Sequence, residues 1–231
     1  MDNKFKYEDV GHKYFYDGKP MTGVTTILGT IAKPQLISWA SKMCYEYIKE
    51  HSNYDSGIYH IKEDELELAK NAHARKKTDA GDIGTKVHAW VELYTSKNEC
   101  PPMPEDENER KMAELFHKWV VENKVKFLES EKKVFNKTEF YAGTLDFTCE
   151  IDDKKYVGDF KTSSGIYSRE YFAQCAGYLW ALKDMGDEEE YNGCVIVRCG
   201  KKGDFEVKYS YDYQTDLEIF KSALTIYRLN K

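Results

Sequence analysis

Helical and strand-like periodicities follow one another in an order that predicts an α/β (α+β) fold: helices, a strand meander, a helix, two more strands and a last helix. The size agrees, since 231 residues with 41% hydrophobic and 14% aromatic content are enough to build one sizeable core. No internal repeat or low-complexity tract divides the chain. One compact domain over residues 1–231 is expected, with an N-terminal hairpin and helical extension in residues 1–80 and the main core in residues 81–231.

The first element is a hairpin. HKYFYDGKPMTGVTTIL alternates aromatic and polar residues around Asp17-Gly18, a dipeptide suited to a tight turn. Apolar residues then recur at helical spacing from Pro34 to about Glu50 and from Lys62 to Lys77, with Pro34 near the first helical position. A third helix is expected from about Asp82 to Thr95. CPPMPEDENE, with its prolines and acids, is a surface connection, and residues 108–128 are helical in period. Residues 129–163 alternate as strands, 169–184 return to helix, 191–209 read as two strands around Gly200 to Gly203, and 212–229 close with a helix.

The net charge of −6 argues against a protein that coats nucleic acid, which needs a large cationic surface to neutralise phosphates. It leaves room for local clusters such as Arg75, Lys76 and Lys77, or Lys124, Lys126, Lys132, Lys133 and Lys137, each of which also reads as a solvated face. Cys44, Cys100, Cys149, Cys175, Cys194 and Cys199 form no CxxC pair, so reduced structural thiols are expected. The opening MDNKFKYEDVGHKYF lacks an apolar run of signal-peptide length, and no stretch is long and uncharged enough to span a membrane. A soluble, cytoplasmic protein follows as the expectation.

The most informative stretch is YAGTLDFTCEIDDKKYVGDFKTS, residues 141–163. A turn at Asp152-Asp153 places Asp146 directly opposite Asp159. One face then collects Leu145, Phe147, Cys149 and Ile151 against Tyr156 and Phe160. The other collects Thr144, Asp146, Thr148 and Glu150 against Asp159 and Lys161, with Val157 the exception. Because side chains alternate with period two, a one-residue slip would destroy this separation. Opposed carboxylates repel, and need a cation between them or a raised pKa on one. A hard divalent ion with oxygen ligands would turn that repulsion into coordination. The bland alternative is the solvated face of an ordinary hairpin.

Four segments resemble a known family. GTLDF at 143–147, GDFKTS at 158–163 and QCAGY at 174–178 resemble, in order and spacing, the Asp, Asp-x-Lys and Gln-xxx-Tyr motifs of RecB-type nucleases of the PD-(D/E)XK superfamily. GTKVHAWVE at 84–92 resembles their Gly-xxx-His-xxx-Glu helix, and MTGVTTILGTIAKPQLISWASKM is similar in flavour to phage-encoded exonucleases of the group. The resemblance implies a restriction-endonuclease-like core, a central mixed sheet flanked by helices, with the active site on its central strands.

It also implies roles. His88, Asp146, Asp159 and the carbonyl of Phe160 would ligate magnesium or manganese, and Lys161 would orient or help deprotonate the attacking water and stabilise phosphate charge. Glu131 would be an additional acid near the metal, while Gln174 and Tyr178 would contact the nucleic-acid backbone or position Lys161. Glu92, at i+4 from His88, is either its partner or a surface acid. The implied activity is hydrolysis of DNA at single- or double-stranded ends to 5′-phosphate and 3′-hydroxyl products, as an exonuclease in preference to an endonuclease, in the host cytoplasm if phage-encoded. Recombination or replication proteins are the partners such a role implies. Some relatives hold an iron–sulfur cluster on four cysteines; here only Cys194 and Cys199 lie near each other downstream, so no cluster is expected. The rivals are a nucleic-acid-binding or accessory protein that keeps the fold without catalysis, and an unrelated interaction protein.

Overall fold

The computed structural model describes residues 3–163, 165–201 and 203–231, apart from the side chains of Asp79, Ala80 and Asp82. The chain begins with three short strands, β1 (Phe5–Glu8), β2 (Lys13–Tyr16) and β3 (Lys19–Gly23), and a single helical turn and a half, α1 (Val24–Leu28). Asp17 and Gly18 both take positive φ, which a primed hairpin turn requires. Next come α2 (Pro34–His51), a minimal hairpin of β4 (Asn53–Asp55) and β5 (Ile58–His60), α3 (Glu63–Lys70), α4 (Ala72–Lys97) and α5 (Glu107–Glu122). The remainder is β6 (Lys126–Asn136), β7 (Tyr141–Ile151), β8 (Lys154–Lys161), α6 (Glu170–Asp184), β9 (Gly193–Cys199), β10 (Phe205–Ser210) and α7 (Tyr213–Leu229).

The class is α/β, with a mixed central sheet flanked by helices. Two compact units are formed: residues through Ile31 together with Lys86–Lys231, and Ala32–Thr85. The second holds α2, the β4–β5 hairpin, α3 and the first turns of α4. The first holds an eight-stranded sheet in the order β1-β2-β3-β7-β8-β9-β10, with β6 also on β7. Among the described residues no helix is long and apolar enough to cross a membrane, and all six cysteines are free.

Three expected boundaries shift. The helices read at 62–77 and 82–95 are instead α3 and one 26-residue α4, broken at Asn71. The helix read at 108–128 stops at Glu122, and β6 begins at Lys126. At its start, Asp106 accepts the amides of Asn108 and Glu109 at 2.9 and 3.0 Å, fixing the first turn.

β7 organises the sheet. β6 runs antiparallel along one edge from Tyr141 to Glu150. The other edge is shared: β3 pairs parallel at Tyr141 and Ala142, and β8 pairs antiparallel from Phe147 to Ile151. Gly143 to Asp146 lie between, where β3 and β8 diverge, and such a fork leaves a crevice as strand divergence does in open α/β sheets. On one side of the sheet Phe147 and Phe160 pack against Trp119 and Phe116 of α5. On the other, α6 buries Phe172, Ala173, Cys175, Ala176, Tyr178 and Leu179, and is itself covered by Phe220 of α7, which approaches Gly177.

Candidate active site in the fork of the sheet

The β7–β8 hairpin has the register that its pattern predicts. Asp152 and Asp153 both adopt positive φ, and the ladder runs Ile151↔Lys154, Glu150↔Lys155, Cys149↔Tyr156, Thr148↔Val157 and Phe147↔Gly158. Gly158 is required there, because a Cβ would sit 1.9 Å from the Phe147 ring. The next step would pair Asp146 with Asp159, but the ladder ends. Asp146 Oδ2 instead accepts the backbone N–H of Phe160 at 2.8 Å, so the carboxylate stands in for a strand partner.

One assignment is corrected. Leu145 does not share the α5 side with Phe147; it joins Tyr141, Tyr178 and Leu179 in the core beneath α6. Alternation along β7 therefore breaks at Asp146. Across the other edge the break is matched by Glu131, whose φ of 48° falls between the pairs Ser130↔Phe147 and Lys132↔Leu145. A left-handed residue inside a strand twists it locally, and both strands are deformed at the level of the acids.

Asp159 is fully buried on the α6 side. Its Oδ1 accepts Gln174 Nε2 at 2.9 Å, and Lys161 Nζ lies 2.5 Å from Oδ2. Gln174 Nε2 also donates to the Tyr178 hydroxyl at 3.1 Å. Gln174 is a polar interruption in a helix of buried apolar residues, and its contacts account for it. The Tyr178 ring reaches β7 because residue 143 is glycine: a Cβ there would meet the ring at 2.6 Å. His88, on α4, sets its ring edge-on to Phe160 with centroids 4.9 Å apart.

The charges are mutually strained. Burial pushes the Asp159 carboxyl up to about 7, opposed by Lys161 and reinforced by Asp146. Burial and then Asp146 raise Glu131, also to about 7, against the pull of Lys133, whose Nζ lies 3.6 Å from the Glu131 carboxylate. Burial alone would lower Lys161, yet Asp159 and Asp146 outweigh it and hold the ammonium above the usual lysine range. Burial lowers His88 below the usual histidine range, and Asp146 and Lys161 both act on it. Burial, Asp146 and Asp159 raise the Tyr178 hydroxyl. These mutual influences bring Asp146, Asp159, Lys161, Glu131, His88 and Tyr178 into one neighbourhood. Glu92 is exposed and contributes to raising Glu131, but makes no hydrogen bond to His88 among the described residues.

The donor set has the oxygen and imidazole chemistry that a divalent cation takes. Fully ionised, Asp146, Asp159 and Glu131 would bring more negative charge than Lys161 and Lys133 neutralise, and burial keeps two of these carboxyls raised without a cation, while His88 is lowered toward the neutral form that binds metals. Among the described residues no group of three His, Cys, Asp or Glu is already arranged as a coordination shell. Asp146 is engaged by the Phe160 amide, and Asp159 by Gln174 and Lys161.

Glu131 and Asp146, but not Asp159, Lys161 or His88, line a cleft of about 660 Å³ in the fork, which β2, β3 and the start of α1 also line. Sequence reasoning did not foresee that second lining. Tyr14 donates to or accepts from Thr144 at 3.0 Å across it, a pairing between residues with no local signal to connect them.

No protein-family model matches the chain, and no curated protein matches it. Among solved structures, the crystal structure of SSO0001 is similar at 13% identity, over 85% of this chain and 88% of that one, with a TM-score of 0.34.

Proposed function

We propose that this chain is a divalent-metal-dependent nuclease with a PD-(D/E)XK-type core, hydrolysing DNA phosphodiester bonds and acting as an exonuclease. One observation carries the reading. Asp146 leaves the β7 ladder at the point where β3 and β8 diverge, one step beyond the last β7–β8 pair, while Asp159 and Lys161 meet at 2.5 Å on the neighbouring strand. Asp146 lines the crevice, and the Asp159–Lys161 pair lies behind it on the next strand with Asp159 fully buried; two carboxylates and an ammonium are the groups that phosphodiester hydrolysis requires.

Asp146, Asp159 and His88 would hold the cation, with Glu131 beside them and the Phe160 carbonyl as a further oxygen. A bound magnesium or manganese lowers the pKa of its water and offsets phosphoryl charge. Lys161, kept protonated by its acidic neighbours, places a positive charge where negative charge develops on the phosphate. Gln174 fixes the Asp159 carboxylate from α6, and the Tyr178 hydroxyl fixes Gln174 in turn. Orientation of a ligand by such a relay raises its effectiveness without contact to substrate.

The test is cleavage of end-labelled DNA with and without magnesium or manganese, using Asp159→Asn as the control. Metal-dependent cleavage lost in the variant supports the proposal. Wild-type protein that binds DNA and leaves it intact with either metal defeats the catalytic reading in favour of a noncatalytic binding protein.

A further inference from the structure

We infer that β10, at the edge of the sheet, pairs antiparallel with β10 of a second copy of this chain about a two-fold axis at Val207, joining the two sheets into one. The inference goes beyond the proposed cleavage and stands whether or not the fork hydrolyses a phosphodiester. β10 is the last strand in the sheet order and pairs with β9 alone. The Gly200 N–H donates to the Asp204 carbonyl at 2.7 Å, and in an antiparallel ladder hydrogen-bonded pairs alternate with non-bonded ones. Asp204, Glu206 and Lys208 therefore turn their backbone groups to β9, while those of Phe205, Val207 and Tyr209 point away from the sheet. Among the described residues no hydrogen bond reaches these outward groups. A row of unpaired amides and carbonyls is a template for another strand.

The side chains select the partner and the register. Glu206 and Lys208 share the α6 side, where Glu206 accepts the Ile166 N–H at 3.1 Å and Lys208 donates to the Ile166 carbonyl at 2.8 Å. Phe205, Val207 and Tyr209 share the other side, where Tyr209 meets the Tyr156 ring at 5.4 Å and the exposed Tyr211 stacks on Tyr209 at 6.2 Å. An axis at Val207 faces Val207 with its own copy, Phe205 with Tyr209, and Glu206 with Lys208. Aromatic then meets aromatic, and carboxylate meets ammonium. Glu206 and Lys208 already pair within one strand at 2.7 Å, so two copies close a ring of four alternating charges. An axis at Phe205 would instead oppose Asp204 to Glu206, and a one-residue slip would mix the aromatic side of one copy with the charged side of the other. A lone lysine on an edge strand discourages pairing; a glutamate two residues away on the same face admits it in one register. β1, at the opposite edge, has four residues against six, and the corresponding axis at Tyr7 would set Phe5 against Asp9.

The pairing is level with the fork. Asp159 is in register with Ile196 and Ile196 with Lys208, while Lys161 is in register with Arg198 and Arg198 with Glu206. Five strand spacings of about 4.8 Å place the two acidic centres roughly 24 Å apart across the axis.

The experiment is sedimentation velocity of the full chain over a wide range of concentration, joined to oxidative crosslinking of cysteine variants. Wild-type protein should show a monomer–dimer equilibrium. Under copper-phenanthroline and air, Val207→Cys should give a covalent dimer in excess of the wild type, because opposed Cα atoms in a hydrogen-bonded pair lie about 5.5 Å apart, within disulfide reach. Phe205→Cys and Tyr209→Cys should crosslink when mixed and neither should do so alone. Lys208→Glu, at an exposed position, should raise the dimer dissociation constant about tenfold, and Glu206→Lys/Lys208→Glu should bring it back. A monomer at every concentration, a dimer that Val207→Cys fails to link, or an unmoved dissociation constant in a Lys208→Glu variant that melts like the wild type overturns the inference. Filaments overturn it too, since they are the product of an edge that pairs with β1 of the next copy instead of with itself. If Lys208→Glu fails to fold, the cysteine variants decide alone.

Discussion

Among the described residues two aspartates are fully buried, Asp159 and Asp216, and their surroundings differ in kind. Asp216, in the first turn of α7, accepts Arg169 Nε at 3.0 Å and lies 2.9 Å from Arg169 Nη2, with the Ser210 hydroxyl on its other oxygen. The helix N-terminus adds a favourable field. Asp159 meets one ammonium and one amide, but also Asp146, in a place where Glu131 is itself raised by burial and then by Asp146. Burial alone does not mark a functional carboxylate. What marks it is like charge assembled beside it, an arrangement that costs stability in the absence of a cation.

The sharpest way to break this comparison is to neutralise each aspartate. Asp159→Asn should reduce metal-dependent cleavage about 10³-fold while the protein still folds. Asp216→Asn should leave cleavage per folded molecule unchanged and cost roughly 2–3 kcal/mol in denaturant unfolding. That is the low end for a broken buried pair, because the Arg169 side chain is 48% exposed. If the two variants show the same phenotype, the distinction between them is void. Lys161→Ala comes next, with turnover down about 10²-fold or more. Its fold should survive, because an Asp159 carboxyl deprived of the ammonium protonates and is no longer a buried charge. Manganese affinity measured by calorimetry should be lowered only by the proton that Asp159 must then release, and full activity would remove lysine from the chemistry.

A smaller effect follows from pH. Folding raises Asp159 and Glu131 to about 7, above their unfolded values of roughly 4. A carboxyl raised by folding favours the folded state fully below its unfolded pKa, and that contribution is lost as pH rises through about 7. Glu131→Gln cannot ionise. In chelator, its melting temperature should therefore gain on the wild type as pH rises from about 5 to 8, by about 3 °C, or roughly 1 kcal/mol for a chain of this size once the shift is discounted for a side chain that is 36% exposed to screening solvent. A difference that shrinks over the same interval would show Glu131 to be stabilised by ionising. Magnesium added at the higher pH should diminish the gap.

Legibility followed distance along the chain. The β7–β8 register could be read because Asp152-Asp153 closes a two-residue turn and Phe147, Cys149 and Tyr156 give one side an apolar pattern, so any slip exposes it. The fork could not. The parallel pairing of Thr22 with Tyr141 has no turn to announce it, and only the small residues Ala142 and Gly143 hint at close approach. The break in alternation at Asp146 is also a tertiary effect, created by the Phe160 amide that the carboxylate captures. α1 and the β4–β5 hairpin are too short to carry a period. The α4 error had a different cause: the run Thr78 to Gly81 reads as a break, yet the helix continues through it.

His88 offers the smallest effect and the finest discrimination. Its position on α4 gives it two environments at once, an edge-on contact with the buried Phe160 ring and the influence of Asp146 and Lys161. The contact with Phe160 would be made by a packing residue, the neighbouring charges by a ligand. Burial holds the imidazole below the usual histidine range, so it is neutral at physiological pH and proton competition is confined to more acidic solution. As a ligand, His88→Ala should weaken manganese binding about tenfold and lower activity in step. The wild-type affinity should fall on acidification through the lowered histidine pKa, and the variant should lose that part of the pH dependence. A packing histidine predicts a lower melting temperature with manganese affinity per folded molecule and its pH profile both unchanged. Calorimetric titration of wild type and His88→Ala at neutral and acidic pH decides, and the second result would remove His88 from the site while leaving the contrast between Asp159 and Asp216 untouched.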